Sequence, residues 1–162
     1  MKVIYEAIFL DNEEIRSLFA EVRGPEAPYP KMTQDFHVTT AFRPHQPLQS
    51  LYGAEVTVHI TAYQRGEITA ESGESTENEG FFCSVTAENS ALREIFSASD
   101  RKWHITGSYR DAAKYTELLE LTGARAVDYK VRGRFGGYLS DGSLALTPRP
   151  KKAPGKTTNE IR

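Results

Sequence analysis

The sequence predicts an α+β domain of mostly antiparallel sheets with helices packed on the outside. Several short runs alternate apolar and polar residues, which is typical of strands with one buried face. Other segments repeat apolar residues at helical spacing. The resulting order is strand, helix, several strands, helix, strand, helix, strands, and it lacks the regular strand–helix alternation of a parallel sheet. With 162 residues the chain is long enough for one domain with its own core.

The first predicted elements are a strand over residues 3–10 and the helix that follows it. Asp11 or Asn12 is suited to cap this helix, whose first turn carries two glutamates. Gly24 is expected to end the helix, and the prolines after it keep the next segment extended and loop-like.

Three strands are predicted in the middle of the chain, over residues 36–42, 55–63 and 81–87. A further strand begins at residues 68–70 and leads into residues 71–80. That last stretch is acidic and rich in turn-forming residues, so the sequence predicts an exposed loop there.

The second half contains two predicted helices around a strand at residues 103–109. Asn89 or Ser90 is suited to cap the first helix, which is short. The second helix is predicted from about residue 111 to residue 121, where the following Gly123 stops it.

Two further strands are predicted near the end, over residues 126–135 and 138–146, the second broken by a tight turn at Asp141-Gly142. Residues 1–147 are therefore expected to form a single domain. Residues 148–162 are expected to form a basic, disordered tail, because they have no apolar face to bury.

The charge is unevenly distributed between these two parts. The tail carries five Lys or Arg residues against one Glu, a net +4, whereas the whole chain carries −2, which leaves −6 for the body. An acidic body is a poor platform for long nucleic acid, whose binding depends on neutralising many phosphates. A nucleotide or a short oligonucleotide held in a local pocket remains compatible with this charge.

The composition excludes several other classes of protein. Cys83 is the single cysteine, so an intramolecular disulfide and a thiolate-rich metal site are both excluded. No apolar run approaches the roughly 20 residues of a membrane span. The start, Met-Lys-Val-Ile-Tyr-Glu, lacks the apolar core of a signal peptide. We therefore expect a cytoplasmic protein without a membrane partner.

Three His-x-Thr triplets stand out in a chain with four histidines: His37-Val-Thr39, His59-Ile-Thr61 and His104-Ile-Thr106. In a strand, residues two apart project from the same face, so each triplet places an imidazole beside a hydroxyl. Two such strands facing one cleft would supply what phosphodiester cleavage needs. One neutral imidazole removes a proton from the attacking oxygen and the other, protonated, donates to the leaving oxygen. The threonines hold the non-bridging phosphate oxygens, and no metal is required.

Taken alone, each triplet is a weak signal. It specifies two positions, threonine is common in strands, and a strand histidine is more often a surface residue or a hydrogen-bonded core residue. Spacing alone therefore leaves open which two of the three triplets form a site.

The segments around the triplets carry more information. They are Tyr5-Glu-Ala-Ile-Phe-Leu-Asp11 before a helix, Phe36-His-Val-Thr-Thr-Ala-Phe-Arg-Pro44, Lys102-Trp-His-Ile-Thr-Gly-Ser108, and Phe135-Gly-Gly-Tyr-Leu-Ser-Asp-Gly142. With them the chain resembles the two-histidine (2H) phosphoesterase superfamily over about residues 1–146. That superfamily includes proteins like the 2′-5′ RNA ligases, cyclic nucleotide phosphodiesterases and phage anti-immune phosphodiesterases.

The resemblance implies a bilobal fold whose sheets face a central cleft, and it assigns roles to the triplets. His37 and His104 match the catalytic positions, and Thr39 and Thr106 match the phosphate-binding ones. His59 falls where the family has ordinary strand residues. The implied activity is that of a metal-independent phosphodiesterase, with no cofactor, acting on a 2′,3′-cyclic phosphate, a cyclic di- or oligonucleotide or a short oligonucleotide.

Other residues are candidates for contact with substrate. Tyr5, Tyr29 and Trp103 are suited to stack on a nucleobase, although core packing explains an aromatic residue equally well. Arg134 is suited to meet phosphate, and a solvated strand face explains it equally well.

Two other functions compete with the enzymatic one. The same side chains would serve a non-catalytic module that binds a nucleotide or an RNA end. A role in RNA repair or ligation, with the basic tail engaging RNA, is the second alternative. The sequence leaves the oligomeric state open.

Overall fold

The computed structural model describes residues 2–69, 72–111 and 123–149, which form one sheet with two α-helices and a short 3-10 turn. In chain order the elements are β1 (Val3–Phe9), α1 (Asn12–Arg23), β2 (Lys31–Met32), β3 (His37–Phe42), the 3-10 turn (Gln49–Leu51), β4 (Glu55–Thr69), β5 (Ser75–Ala87), α2 (Ser90–Ala98), β6 (His104–Tyr109), β7 (Arg125–Leu139) and β8 (Leu144–Ala145). Apart from Asp111, the helix predicted at 111–121 lies outside the described residues, as does 150–162 of the predicted tail.

The eight strands form a single antiparallel sheet in the order β2-β6-β5-β4-β7-β1-β3, with β8 paired to β7. β3 stands at one end of this order and β6 near the other, yet the two contact each other. The sheet is therefore curved so that its ends approach. The predicted α+β class with mostly antiparallel pairing is confirmed. Neither described helix is long and apolar enough to cross a membrane.

The predicted alternation and caps account for the local structure. In β4 the side chains of Val56, Val58 and Ile60 are fully buried, whereas their polar neighbours face the other side of the strand. Asp11 caps α1 by accepting hydrogen bonds from the backbone N–H groups of Glu13 and Glu14, and Asn89 caps α2 by accepting one from Leu92. The apolar stripes of both helices pack into one core with the buried face of the sheet.

The acidic stretch at residues 71–80 was predicted to be an exposed loop, and this prediction is wrong for most of the stretch. From Ser75 onward it is the first half of β5, paired along its length with the second half of β4 in a long hairpin. Glu79 is fully buried and accepts hydrogen bonds from Arg23, Tyr63 and Ser108. Its charge is thus compensated inside the protein. The described residues that precede β5, 72–74, are exposed, and the φ of Gly73 among them is +90°.

The two strands predicted at 126–135 and 138–146 are one continuous strand, β7, followed by a turn and the short β8. Gly136 and Gly137 do not interrupt the ladder. A Cβ atom on Gly136 would lie 2.4 Å from the Ala145 carbonyl oxygen, and one on Gly137 would lie 2.7 Å from the Tyr52 hydroxyl oxygen. Because these two glycines have no Cβ atom, the Ala145 carbonyl and the Tyr52 side chain are able to pack closely against their backbone.

The predicted tail begins in contact with the domain. The backbone N–H of Arg149 donates to the Gln49 carbonyl at 2.8 Å, next to the 3-10 turn. The first two residues of the segment predicted to be disordered, Pro148 and Arg149, are thus held by a backbone hydrogen bond that composition does not reveal.

Candidate active site

The curvature of the sheet brings two of the three triplets into one cleft. His37 lies on β3, opposite Phe9 of β1, and His104 lies on β6, opposite Phe82 of β5. Both histidines line a cleft of about 530 Å³. The other residues that line it are Tyr5, Thr33, Gln34, Asp35, Thr39, Thr106, Tyr109, Tyr138 and Gly142.

The two imidazoles are held in the same way. The Nδ1 atom of His37 lies 2.6 Å from the Asp35 carbonyl oxygen, and that of His104 lies 3.0 Å from the Lys102 carbonyl oxygen. A carbonyl can only accept, so in each neutral ring the proton sits on Nδ1. The Nε2 atom then carries the lone pair, and it becomes a donor when the ring is protonated. Each histidine is thus hydrogen-bonded to the carbonyl of the residue two positions before it, and this local arrangement is the same in β3 and in β6.

The environment favours the neutral form of both rings. Burial lowers the pKa of His37, opposed by the Asp35 carbonyl and carboxylate. The pKa of His104 is lowered to about 3, chiefly by burial and also by the positive charges of Arg101 and of a protonated His37, against the effect of the Lys102 carbonyl. Because each protonated histidine disfavours protonation of the other, the pair titrates as a coupled system.

The two motif threonines stand beside their histidines, as the strand geometry predicts. Thr39 is opposite Ala7 of β1, and Thr106 is opposite Gly80 of β5. Both line the same cleft as the histidines. The cleft is therefore lined by two imidazoles and two threonine side chains together.

Of the four predicted contact residues, the structure places one in the cleft. The Tyr5 ring stacks on Tyr138 at 4.9 Å between centroids and lies 5.0 Å from the His37 ring. Burial raises the pKa of Tyr5 to about 12, helped by Tyr138 and Asp35, so its hydroxyl stays a donor.

The other three lie elsewhere. Trp103 packs against Phe96 of α2, edge to face, at the margin of the core. Tyr29 is outside the lining of the cleft, near Glu77 and Arg65, and its pKa is raised mainly by burial. Arg134 donates to the Gly53 carbonyl and lines a neighbouring concavity of about 380 Å³, which shares Asp35 with the cleft.

The side chains of the third triplet, His59-Ile-Thr61, form hydrogen bonds to neighbouring strands instead of lining the cleft. The Nε2 atom of His59 lies 2.7 Å from the Asp128 carboxylate on β7, and Thr61 donates to the Phe82 carbonyl. His59 is outside the lining of the cleft. It stands on β4, at a position where the resemblance implies an ordinary strand residue, and His45, the fourth histidine, lies in the loop after β3.

The sequence did not point to Tyr109 or Tyr138, which also line the cleft. The position of Tyr138 follows from its pairing with Tyr5 in the sheet, and no local sequence pattern predicts that pairing. Tyr109 comes three residues after Thr106, a spacing that in a regular strand points to the opposite face.

Within residues 2–69, 72–111 and 123–149, no group of three or more His, Cys, Asp or Glu side chains is arranged to hold a metal ion. No family model, no curated protein and no solved structure matches the chain. The function is therefore argued from the site alone.

Proposed function

We propose that this protein is a metal-independent phosphodiesterase that cleaves a phosphodiester in a small nucleotide by acid–base catalysis between His37 and His104. One observation carries the proposal. Two imidazoles from opposite ends of the sheet, each with Nδ1 tied to a backbone carbonyl, line one cleft together with Thr39 and Thr106. Histidine pairs suit this chemistry because one ring accepts a proton while the other supplies one.

The proposal includes the bilobal 2H-like arrangement implied by the sequence. In this interpretation one lobe is built around β1 and β3 and the other around β5 and β6, and each contributes one His-x-Thr strand. The contact of β3 with β6 supports it, because it brings the two motif strands together at the cleft. The long strands β4 and β7 then connect the lobes.

The reaction begins with the phosphodiester between the two histidines. The Nε2 atom of the neutral ring takes the proton of the attacking water or ribose hydroxyl as its oxygen bonds to phosphorus. The other ring, protonated, gives its proton to the leaving oxygen as the bond to phosphorus breaks, so the pair exchanges protonation states. Thr39 and Thr106 donate to the non-bridging oxygens and keep the group in line for displacement.

The coupled titration supports this division of labour. Two protonated imidazoles repel each other in the buried cleft, and this disfavours the state in which neither ring is able to act as base. A bound phosphate, being negative, favours protonation of one ring. The proton needed by the general acid is therefore taken up with the substrate.

The volume and the charge of the chain bear on the substrate. A cleft of about 530 Å³ is of the size used for small molecules and cofactors. The acidic body disfavours long nucleic acid. We therefore place the substrate among 2′,3′-cyclic phosphates, cyclic di- or oligonucleotides and short oligonucleotides.

The first test is turnover of such a panel in the presence of EDTA, with products identified by mass spectrometry. Cleavage of at least one member supports the proposal, and cleavage abolished by EDTA overturns its metal-independent part. Binding without any cleavage leaves a nucleotide-binding module in place of an enzyme.

The second test assigns the residues. His37→Ala and His104→Ala should each lower kcat by at least about 100-fold, as expected for loss of a general acid or base. His59→Ala is the matched control, since it removes a histidine from the third triplet outside the cleft, and it should change kcat little. An equal loss in His59→Ala would show that the wrong pair of triplets has been chosen.

A further inference from the structure

The repetition between the two motif strands extends beyond His-x-Thr. In each strand an aromatic residue follows the threonine by three positions, Phe42 in β3 and Tyr109 in β6. A regular strand alternates its faces, so a residue three positions after the threonine would face away from the cleft. In both strands it faces the same way as the histidine and the threonine.

A β-bulge produces this reversal in β3. Thr39 is opposite Ala7, but the next pairs are Ala41 with Glu6 and Phe42 with Tyr5. Thr40 is therefore the extra residue, and it reverses the alternation after the motif. Phe42 ends beside Tyr5 on the face of the sheet that carries His37.

A second bulge does the same in β6. Thr106 is opposite Gly80 and Tyr109 is opposite Asn78, so Gly107 and Ser108 both stand opposite Glu79. The Oε2 atom of Glu79 accepts from the Ser108 N–H at 2.9 Å and from its hydroxyl at 2.8 Å. The buried carboxylate thus binds an N–H that the bulge takes out of the ladder.

Space at this bulge is tightly limited. A Cβ on Gly107 would lie 2.7 Å from that same Oε2 atom. Ser108 is accordingly turned into the interior, fully buried, and Tyr109 is turned into the cleft.

Each bulge faces a buried glutamate on the neighbouring strand. Glu6 of β1 is 1% exposed and pairs opposite Ala41 of the first bulge, as Glu79 stands opposite the second. The two halves therefore share a longer unit than the triplet, namely His-x-Thr, a bulge against a buried glutamate, and an aromatic residue returned to the cleft face.

Phe42 is largely exposed to solvent, so its ring is accessible to a ligand. Its side chain is 61% exposed, and the Arg43 guanidinium lies 5.2 Å from its ring centroid. Arg43 has φ = +50°, the single positive value at a non-glycine residue among residues 2–69, 72–111 and 123–149. A backbone conformation of this kind is disfavoured by sterics and is often found at functional sites. The sheet thus holds an exposed ring opposite Tyr5 of the cleft in the strand register, just outside the residues that line the cleft.

We infer that Phe42 and Tyr109 each stack one nucleobase, so that the substrate carries a base on both sides of the scissile phosphate. This rests on the proposed function, and it selects linear or cyclic dinucleotide units over a terminal 2′,3′-cyclic phosphate, which has one base. Aromatic rings accept any base by stacking. In the antiparallel sheet β3 and β6 run in opposite directions, so Phe42 and Tyr109, which each follow the motif histidine of their strand, extend from the histidine pair in opposite directions. A phosphodiester bound between the histidines therefore meets one ring on each side.

The test combines two variants with three substrates. The substrates are diadenosine monophosphate (ApA) and its two analogues that lack one base. On ApA, Phe42→Ala and Tyr109→Ala should each lower kcat/KM by about tenfold to hundredfold, the usual effect of losing one base–aromatic stack. On each abasic analogue one variant should lose its effect and the other keep it, in opposite order for the two analogues.

The controls separate stacking from other consequences of substitution. Phe42→Tyr and Tyr109→Phe keep a ring and should retain kcat/KM. Ile95→Ala removes another exposed apolar side chain, 42% exposed on α2, and should leave all three substrates unaffected. Wild-type kinetics on ApA with no loss in either alanine variant would overturn the inference and leave the proposed function standing.

Binding distinguishes the two proposals further. The affinity of the phosphorothioate form of ApA is measured calorimetrically for the same variants. If the wild-type chain cleaves nothing but binds this analogue with the expected dependence on both rings, the two-base site stands and the phosphodiesterase proposal fails. Affinity that depends on neither ring contradicts the two-base site.

Discussion

At the scale of single residues, the site depends on how each imidazole is held. The carbonyls of Asp35 and Lys102 fix the proton of each neutral ring on Nδ1, so in the proposed reaction the same atom, Nε2, is the base or the acid in both rings. The histidines are also buried, and burial disfavours the charged form of His104 more than the Lys102 carbonyl favours it. The neutral form of both histidines is therefore favoured, and in the proposed function a bound phosphate would shift one of them to its protonated form.

This environment predicts that stability falls with acid. The pKa of His104 is about 3 in the folded chain against 6.5 as the ordinary value. Between these values the unfolded state binds a proton that the folded state does not, so the free energy of unfolding decreases as the pH falls below about 6.5. The decrease attributable to His104 between about pH 7 and about pH 5 is at most about 2 kcal/mol.

Urea unfolding at the two pH values measures this decrease. His104→Asn should lessen it, whereas His45→Asn, in an exposed loop, should keep it. An unchanged decrease in His104→Asn would contradict the assigned cause.

At the scale of the elements, the bulges in β3 and β6 decide what faces the cleft. A one-residue shift of register moves every later side chain to the other face of a strand. Glu79 secures the shift in β6 with both oxygens engaged, since Arg23 donates to each of them and Tyr63 to Oε1 as well. These donors, with Ser108, outweigh the burial that would otherwise raise its pKa, so the pKa of Glu79 is lowered and the carboxylate stays charged.

Glu79→Gln should therefore destabilise the protein strongly. The amide replaces one acceptor oxygen by a donor in a site where every partner is a donor, and it leaves the charge of the buried Arg23 without its carboxylate. The expected loss is about 3 kcal/mol in the free energy of unfolding, as for breaking a buried ion pair.

Glu77→Gln is the matched control on the same strand. Glu77 pairs with the half-exposed Arg110, so its replacement should shift the urea midpoint little. Equal shifts for the two variants would contradict the structural role given to Glu79.

The elements also mark how far the sequence predicts this structure. Caps, apolar periodicity and the His-x-Thr pattern located both described helices, most strands and the residues of the catalytic proposal, because these signals are local. The first half of β5 was missed because its polar residues are satisfied by partners that are distant in sequence, such as Arg23 for Glu79. Tyr109 was missed for a related reason, since a bulge formed against another strand reverses its direction.

At the scale of the whole molecule, the site exists because the two ends of the sheet meet. β3 and β6 are separated by four strands in the sheet order, so their approach depends on the curvature of all of them. One side chain joins the two motif strands directly. The Nε atom of Arg101, in the segment before β6, donates to the carbonyl of Thr40, the bulge residue of β3, at 3.3 Å. Arg101 thus links β3 to the segment before β6, next to the cleft that both histidines line.

Arg101→Met should disturb the relative position of β3 and β6 more than it lowers the free energy of unfolding. One hydrogen bond to a neutral carbonyl contributes about 1 kcal/mol to stability. The relative position of the two imidazoles affects catalysis more steeply, so kcat should fall by about tenfold. The pKa of His104 should rise, because the Arg101 charge lowers it in the native protein. NMR titration of the histidine ring protons measures that rise without any substrate.

The matched control is Arg93→Met. It removes an arginine that is hydrogen-bonded to a backbone carbonyl next to its own helix, and it should alter neither kcat nor the His104 titration. A fall in kcat without a change in the titration would contradict a position for Arg101 beside the histidine pair.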